Sequence, residues 1–398
     1  MSSADQIIAS LQGISAASFL DEPERIRARD ALFHALRKVQ SPWEIAWDQS
    51  WACVATTACV KTLIDAGVFK KWSEVGGGPI TCVKLAEMTG VDEVLLRRIM
   101  RTLSGQLLVI EVAEDTYERT PLAIALADDP PFAGIYGGFY HDATSPMFRT
   151  LPAYLKKTGY RNPTDVNECN FQYCQGNATA SFFEYIGADP LRTSDFNDAM
   201  ECLSKYNSFP WTEVYPSDSI VAAARPGIPL VVDIGGSKGH DLRKFLSRYP
   251  DLPPGSLVLE NLPILLKSVD IGDNSASAIS VQPHDFFTPQ PVVGARAYYM
   301  HHILHDWPDD KAIRIMKTLA PAMEKGYSRL LIHESLVSKI RPLSSVTVSD
   351  NTQMMTLVAA SERTEERWEE LISSAGLRLI KIWRPEHSIE GIIEEEVA

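Results

Sequence analysis

The chain of 398 residues carries 51 acidic and 38 basic side chains, a formal net charge of −13, which argues against a nucleic-acid partner because phosphate binding is driven by clustered Lys and Arg. Hydrophobic content of 45% and charged content of 22% are those of an ordinary globular protein, long enough for two or three domains with a sizeable core. No apolar run approaches the roughly 20 residues of a membrane span, and the start Met1-Ser-Ser-Ala-Asp-Gln-Ile-Ile lacks the basic and apolar segments of a secretory leader, so the expectation is a cytoplasmic protein without a membrane partner.

Residues 4–40 read as amphipathic helix, with Ile7, Ile8 and Leu11 and then Ala31, Leu32 and Leu36 at helical spacing. A second helical stretch runs from about Trp51 to Phe69 and stops near the glycines at 76–78. Thr81 caps a short helix through Met88, a turn follows at Thr89 to Val91, and Asp92 caps a helix with Leu95, Ile99 and Leu103 on one face. Leu108 to Val112 and Thr116 to Arg119 flank Glu114 and Asp115 as a hairpin. Helix, turn, helix and hairpin make a winged-helix pattern, which serves either DNA binding or dimerisation. Arg97, Arg98 and Arg101 sit on the second helix, but the hairpin is not a basic wing and the chain is acidic. A structural or dimerisation role is therefore favoured over a winged-helix regulator.

Residues 125–215 look mostly helical, broken at Pro130-Pro131 and Asn162-Pro163. They are rich in large apolar side chains, of which Phe182, Met200 and Trp211 are expected to wall an aromatic substrate pocket, together with Met354 and Met355 further on. The six cysteines include no C-x-x-C pair, so reduced thiols are expected and no zinc site. Asn177 to Thr179 fits a glycosylation sequon, which without a leader reads as chance.

After Arg225 short buried strands alternate with helices, the α/β signature. In open α/β sheets ligands bind outside the carboxyl ends of the strands, and five consecutive segments carry chemistry there. Leu230 to Gly239 (LVVDIGGSKG) breaks into glycines, and its D-x-G-G-x-x-G pattern places Asp233 before Gly235, Gly236 and Gly239. It fails the spacing of a dinucleotide fingerprint and lacks the G-K-[ST] end of a phosphate loop. An acid there repels pyrophosphate and suits a cofactor with an amino group and a positive centre. Leu257 to Glu260 ends in an acid placed for ribose hydroxyls. Ser280 to Phe286 ends in Asp285 and Phe286, a carboxylate and a ring that suit adenine. Ala295 to Met300 leads into His301-His-Ile-Leu-His-Asp306, where His305 lies in a strand-to-helix connection and is suited to accept a proton near neutral pH. Three histidines in five positions raise a metal, but no distant carboxylate or Cys completes a set. Leu330 to Glu334 ends in an acid that would orient the imidazole through Nδ1–H, and Glu362 is a second acid of open role.

The ordered set Asp233–Gly239, Val258–Pro263, His284–Phe287, Leu304–Trp307, Ile332–Glu334 and Glu362–Thr364 resembles the motifs of plant and fungal small-molecule O-methyltransferases. The resemblance extends through the N-terminal region and so covers nearly the whole chain. It implies a Rossmann-like class I methyltransferase sheet in residues 216–398, a helical linker and substrate-pocket region in 125–215, and a winged-helix-like dimerisation domain in 1–124. It also implies S-adenosyl-L-methionine as cofactor, an intertwined homodimer and a small aromatic acceptor, with His305 as base and Glu334 and Glu362 as its flanking acids. Asn261 stands where the family usually has an Asp that contacts ribose, so cofactor binding is expected to be weakened or rearranged. His301 and His302 occupy a place often held by Arg or Lys. Methyl transfer to a phenolic or enolic hydroxyl is the leading expectation; a cyclase or pericyclic catalyst holding the cofactor as an inert cation is the alternative.

Overall fold

The computed structural model describes residues 3–176, 179–206, 210–266, 278–337, 345–385 and 388–398, with only the backbone of 345–350. The sequon at Asn177 lies outside these residues.

The N-terminal region folds around its own core. Thr81 and Asp92 cap helices Cys82–Thr89 and Glu93–Gly105 as their sequence positions predict, each side chain accepting a backbone N–H of the first turn. Leu96, Ile99, Met100 and Leu103 of the second helix are buried against Val60, Leu63, Trp72 and Tyr117. Strands β1 (Ile80–Thr81), β2 (Val109–Ala113) and β3 (Thr116–Arg119) form a small antiparallel sheet in the order β1-β3-β2. Arg97 is engaged by Asp115 at the hairpin tip, at 2.9 Å, which ties helix to hairpin and takes that cation out of any phosphate-facing role.

The first 40 residues depart from the continuous helix expected. Helix Ser3–Leu11 stops, and Asp21 caps a new one, Glu22–Val39. Neither buries a single side chain. The second stretch begins earlier than predicted, at Pro42, with Ser41 and Glu44 closing a capping box. Trp43, Trp47 and Trp51 run along it, Trp47 stacked on Trp51 at 4.9 Å, and all three are exposed. No single helix among the described residues is long and apolar enough to cross a membrane.

The C-terminal half is one twisted sheet of β4 (Val231–Ile234), β5 (Leu257–Asn261), β6 (Ile279–Pro283), β7 (Ala297–His301), β8 (Arg329–Val337), β9 (Arg363–Thr364), β10 (Leu377–Trp383) and β11 (Glu390–Val397). Its order is β10-β11-β8-β7-β4-β5-β6, with β9 beside β8. Strands β4 to β8 pair in parallel, and β11 inserts antiparallel between β8 and β10. Both faces are covered, as parallel sheets require. Alternate strand residues divide between them: Val232, Tyr298, Met300, Leu330 and Ile332 pack with helices Asp309–Leu319 and Glu365–Ser374. Val231, Leu257, Leu259, Tyr299 and Leu331 pack on the other face with Trp211 and Phe245.

Trp211 therefore is core and not pocket wall, correcting the sequence-based expectation. Its ring stacks on Tyr299 at 4.6 Å and Phe245 at 5.3 Å, and its Nε1 donates to the Asp241 carbonyl at 3.1 Å. Trp211→Ala should lower unfolding free energy by about 3–5 kcal/mol in urea titration, the cost of emptying a fully packed site; a loss under about 1 kcal/mol would return Trp211 to the surface of a pocket.

Candidate active site

From β4 the chain winds one way to β5 and β6 and the other way to β7 and β8, so a crevice opens at the carboxyl edge between β4 and its neighbours. The Gly turn sits there. Gly235 has φ +79°, a conformation open to glycine, and a Cβ on it would lie 2.5 Å from Ile303 Cδ1. A Cβ on Gly236 would collide with the Asp233 carboxylate and Leu259. Both glycine N–H groups donate to the Glu260 carbonyl, at 2.8 and 3.2 Å, and this pins the turn to β5. The loop is tied on its other side to helix Pro190–Tyr206, Ser237 Oγ to Asn197 at 3.0 Å and Lys238 to Asp198 at 2.5 Å.

A cavity of about 330 Å³ occupies the crevice, and its lining includes Asp233, Gly235, Gly236, Asn261, Asp285 and Phe286 together with His302, His305, Asp306 and Trp307. Asp233 Oδ2 is buried without a hydrogen-bond partner, and burial together with Asp241 holds its carboxyl well above the usual range. An orphaned acid beside a glycine cradle fits a ligand bearing an ammonium and a second positive centre. Asn261 Oδ1 accepts the Leu262 N–H at 2.8 Å, which leaves its NH₂ as the end suited to a ribose hydroxyl. Asp285 and Phe286 lie in the cavity wall.

Two expected contacts are corrected. Glu260 is turned into the protein, where Oε2 meets His284 Nδ1 at 2.8 Å and Gln290 Nε2 at 2.9 Å. Strand alternation sends it to the face opposite Asn261, so only the latter reaches the cavity. Gly239, with φ +75°, is the N-cap of helix His240–Arg248 and packs on Leu259 outside the cavity wall.

His305 lines the same cavity. Its Nδ1 pairs with Glu362 Oε1 at 2.6 Å. Glu334 was expected in that place, but it lies within β8 and its Oε1 instead accepts the backbone N–H groups of Ile303, Leu304 and His305, at 3.1, 2.9 and 3.3 Å. Its Oε2 is 3.6 Å from His305 Nδ1. Asp306 Oδ1 is 3.6 Å from Nε2. Burial opposes charge on this imidazole, but the carboxylates of Glu334, Glu362 and Asp306 outweigh it and hold the ring well above its usual range. Burial lifts Asp306 to about 7 against the pull of His305.

Sequence reasoning missed the array behind this base. His301 Nδ1 meets Asp241 Oδ2 at 2.7 Å, and His302 Nε2 meets Glu390 Oε1 at 2.8 Å. His333 Nε2 lies 3.4 Å from Glu390 Oε2, while its Nδ1 meets the Tyr299 hydroxyl at 2.8 Å. A distant carboxylate thus does join the histidines, contrary to the sequence reading. Glu390 arrives from β11, whose place beside β8 no local pattern announces. His301 and His333 stack at 4.1 Å and 15°. Imidazole lone pairs lie in the ring plane, and two near-parallel rings do not aim theirs at one ion, so the arrangement suits acid–imidazole pairing. Burial disfavours charge on His301, but Asp241 and Glu390 hold it up at about 10; burial and the neighbouring His301 charge push His333 down to about 3.

Beyond the base the wall is aromatic. Phe139, Phe182, Phe183 and Phe196 make edge-to-face contacts at 5.3–6.3 Å, and Phe183 stacks on Trp307 at 5.8 Å. Phe182 and Met200 line the cavity as expected, with Gln353, Met354 and Leu357 of helix Ser345–Val358. Met355 does not line it, because helical spacing turns it to a different face from 353, 354 and 357.

A family model for the O-methyltransferase domain matches residues 158–378. The O-methyltransferase mfmE of Annulohypoxylon moriforme is 35% identical over 98% of this chain and 95% of its own. Among solved structures, a protein described as a pericyclic reaction enzyme superposes with a TM-score of 0.86 at 25% identity, covering 99% of this chain and 98% of its own. OxaC in complex with SAH and oxaline does so with a TM-score of 0.81 at 25% identity over the same shares. The crevice, the domain match and the near full-length relative agree: the chain belongs to the S-adenosyl-L-methionine-dependent O-methyltransferases of the secondary-metabolite type.

Proposed function

We propose that this enzyme methylates a phenolic or enolic hydroxyl of an aromatic, polyketide-like acceptor, with His305 as general base. The observation that carries the reading is the His305–Glu362 pair at 2.6 Å, in the wall of the cavity that also holds the Gly turn and Asp233. With Nδ1 engaged by Glu362, Nε2 is the nitrogen left to take the acceptor's proton, the orientation logic of a base held by a carboxylate. S-Adenosyl-L-methionine supplies, when bound, a methyl group on a cationic sulfur; Asp233, Gly235, Gly236, Asn261, Asp285 and Phe286 would hold it. Glu334 fixes the loop on which His305 rides, so the base is positioned before the acceptor arrives. The phenylalanine wall and Met200 would clasp a flat ring and exclude water, which strengthens attraction between the acceptor oxyanion and a nearby cation. Positioning of this kind is worth up to about 7–11 kcal/mol in well-oriented cases, and base catalysis a further 10²–10⁴-fold, roughly.

A second reading, cyclisation with the cofactor as an inert cation, is supported by the fold likeness to the pericyclic enzyme and by Asn261. Incubation with methyl-labelled cofactor and a panel of phenols and enols separates the two, because a pericyclic catalyst leaves the label on sulfur. His305→Ala should lower labelled-product formation by about 10²–10⁴-fold while the cofactor still binds by calorimetry; undiminished turnover would remove His305 from the mechanism.

The homodimer is supported by the N-terminal arm. Its helices bury nothing within the chain, yet they carry Ile7, Ile8, Leu11, Phe33 and the row Trp43, Trp47 and Trp51 on the surface. Apolar surface on this scale marks an interaction site. Sedimentation velocity should find a dimer that a double Trp47→Asp, Trp51→Asp variant dissociates; a monomeric parent protein would overturn the assignment.

A further inference from the structure

We infer that His305 is an imidazolium in the cofactor-free protein and gives up that proton when the cationic S-adenosyl-L-methionine binds, whereas neutral S-adenosylhomocysteine binds with the proton retained. The inference rests on the methyl-transfer reading and adds to it a charge balance that the site keeps through the cycle.

The geometry is one imidazole facing Glu362 and Glu334, with the acid of Asp306 beside its other nitrogen. Glu362 meets Nδ1 at 2.6 Å from the segment before β9, Glu334 comes within 3.6 Å from β8, and Asp306 lies 3.6 Å from Nε2 on the same loop. His302 is the other titratable neighbour, its ring centre 4.8 Å away, and Glu390 already pairs with it. Arg363 backs the loop by donating to the Leu304 and Trp307 carbonyls, and its Nε is engaged by Asp309. Gln353 and Met354, from helix Ser345–Val358, are uncharged. Glu362 and Glu334 beside a ring exposed only 8% favour its charged form and hold the imidazole above its usual range. A charged imidazole cannot take the acceptor's proton, so the resting state is inactive as it stands.

The Gly turn and the base loop are separated by a single side chain: Ile303, two residues before His305, is the group a Cβ on Gly235 would strike. A cation held at that turn shares the low-dielectric cavity with the ring, and two positive charges at close range there disfavour each other. The loss of the His305 proton relieves this and arms the base. In turnover the acceptor O–H proton moves to Nε2, the oxygen pair forms the new C–O bond, and the C–S pair stays on sulfur. The cavity begins with a sulfonium and a neutral imidazole and ends with a thioether and an imidazolium, so its charge is unchanged. The product state then matches the charge of the resting protein, and the next cationic cofactor expels the proton again.

Calorimetric titration between pH 6 and 9, in buffers of different ionisation enthalpy, counts the protons released. S-Adenosyl-L-methionine should release close to one proton more than S-adenosylhomocysteine wherever resting His305 is charged and bound His305 is not, and the ratio of their affinities should rise by about tenfold per pH unit there. S-Adenosylhomocysteine should release about one proton fewer, with an affinity independent of His305, because any proton that Asp233 loses to the ammonium is common to the two compounds. In His305→Gln the difference between the two should vanish. In Glu362→Gln, with one anion fewer at the ring, the release should move to lower pH. Equal proton counts for the two compounds, or a difference that persists in His305→Gln, would overturn the linkage while leaving methyl transfer standing. Failure of both compounds to bind would overturn the cofactor reading and the linkage with it.

Discussion

The site depends on one buried carboxylate. Glu334 is fully enclosed, and a charge in that position is tolerated only when hydrogen bonds replace its water. It takes them from three consecutive backbone N–H groups of the loop after β7. That loop would otherwise leave those donors unsatisfied, because it has quit the sheet and its 3₁₀ turn at Leu304–Asp306 is too short to satisfy them. His302 enters the loop at φ +53°, a conformation uncommon for a side-chain-bearing residue. The Glu334 hydrogen bonds compensate for that strain. From this anchoring follow the contact of Ile303 with the Gly turn, the direction of His305 and the stacking of Trp307 on Phe183.

Around it the protein buries more charge than stability alone would favour. Asp241, Glu334, Glu362 and Glu390 face His301, His302, His305 and His333 in a continuous layer at the sheet edge. Burying an ion pair often brings no net stability relative to apolar packing, whereas removing one partner is strongly destabilising. The layer therefore behaves as a unit. Its charged state is set jointly, and a change of charge in the cavity is felt first by the imidazole most exposed to it. Burial disfavours charge on Asp233 and holds its carboxyl well above the usual range, while His301 and His240 hold Asp241 well below its usual range against the same burial. Two neighbouring acids are thus pushed in opposite directions by what they face.

Strands, the Gly turn and His305 were legible because each has a local signature: an apolar run, a glycine cluster, a histidine before a helix. The caps at Thr81 and Asp92 were legible for the same reason. Glu362 had no such signature, and only the family resemblance put it beside the base. What was not legible depends on register and alternation. Glu260 and Asn261 are adjacent in sequence, and only the strand's pleat decides that Asn261 faces the cavity. Met354 and Met355 are divided by a helical rotation in the same way. Trp211 has the composition of a pocket residue and the position of a core one. Glu390 was beyond reach, since its partners are brought to it by an antiparallel strand inserted from the end of the chain. The N-terminal helices were recognised by periodicity, but periodicity does not say what covers their exposed apolar face.

Methyl transfer and cyclisation make different demands on the same cavity. Both profit from an aromatic wall and from a cation at the Gly turn, so neither feature separates them. A pericyclic rearrangement has no proton to place. It could use an imidazole N–H as a hydrogen-bond donor, but a ring held at 2.6 Å by one carboxylate, on a loop fixed by a second, suits a proton acceptor more directly. Such a ring is costly to bury, and the protein devotes residues from three separate segments to holding it. That concentration of charge on a proton acceptor is intelligible where a hydroxyl must lose its proton at the moment its oxygen attacks.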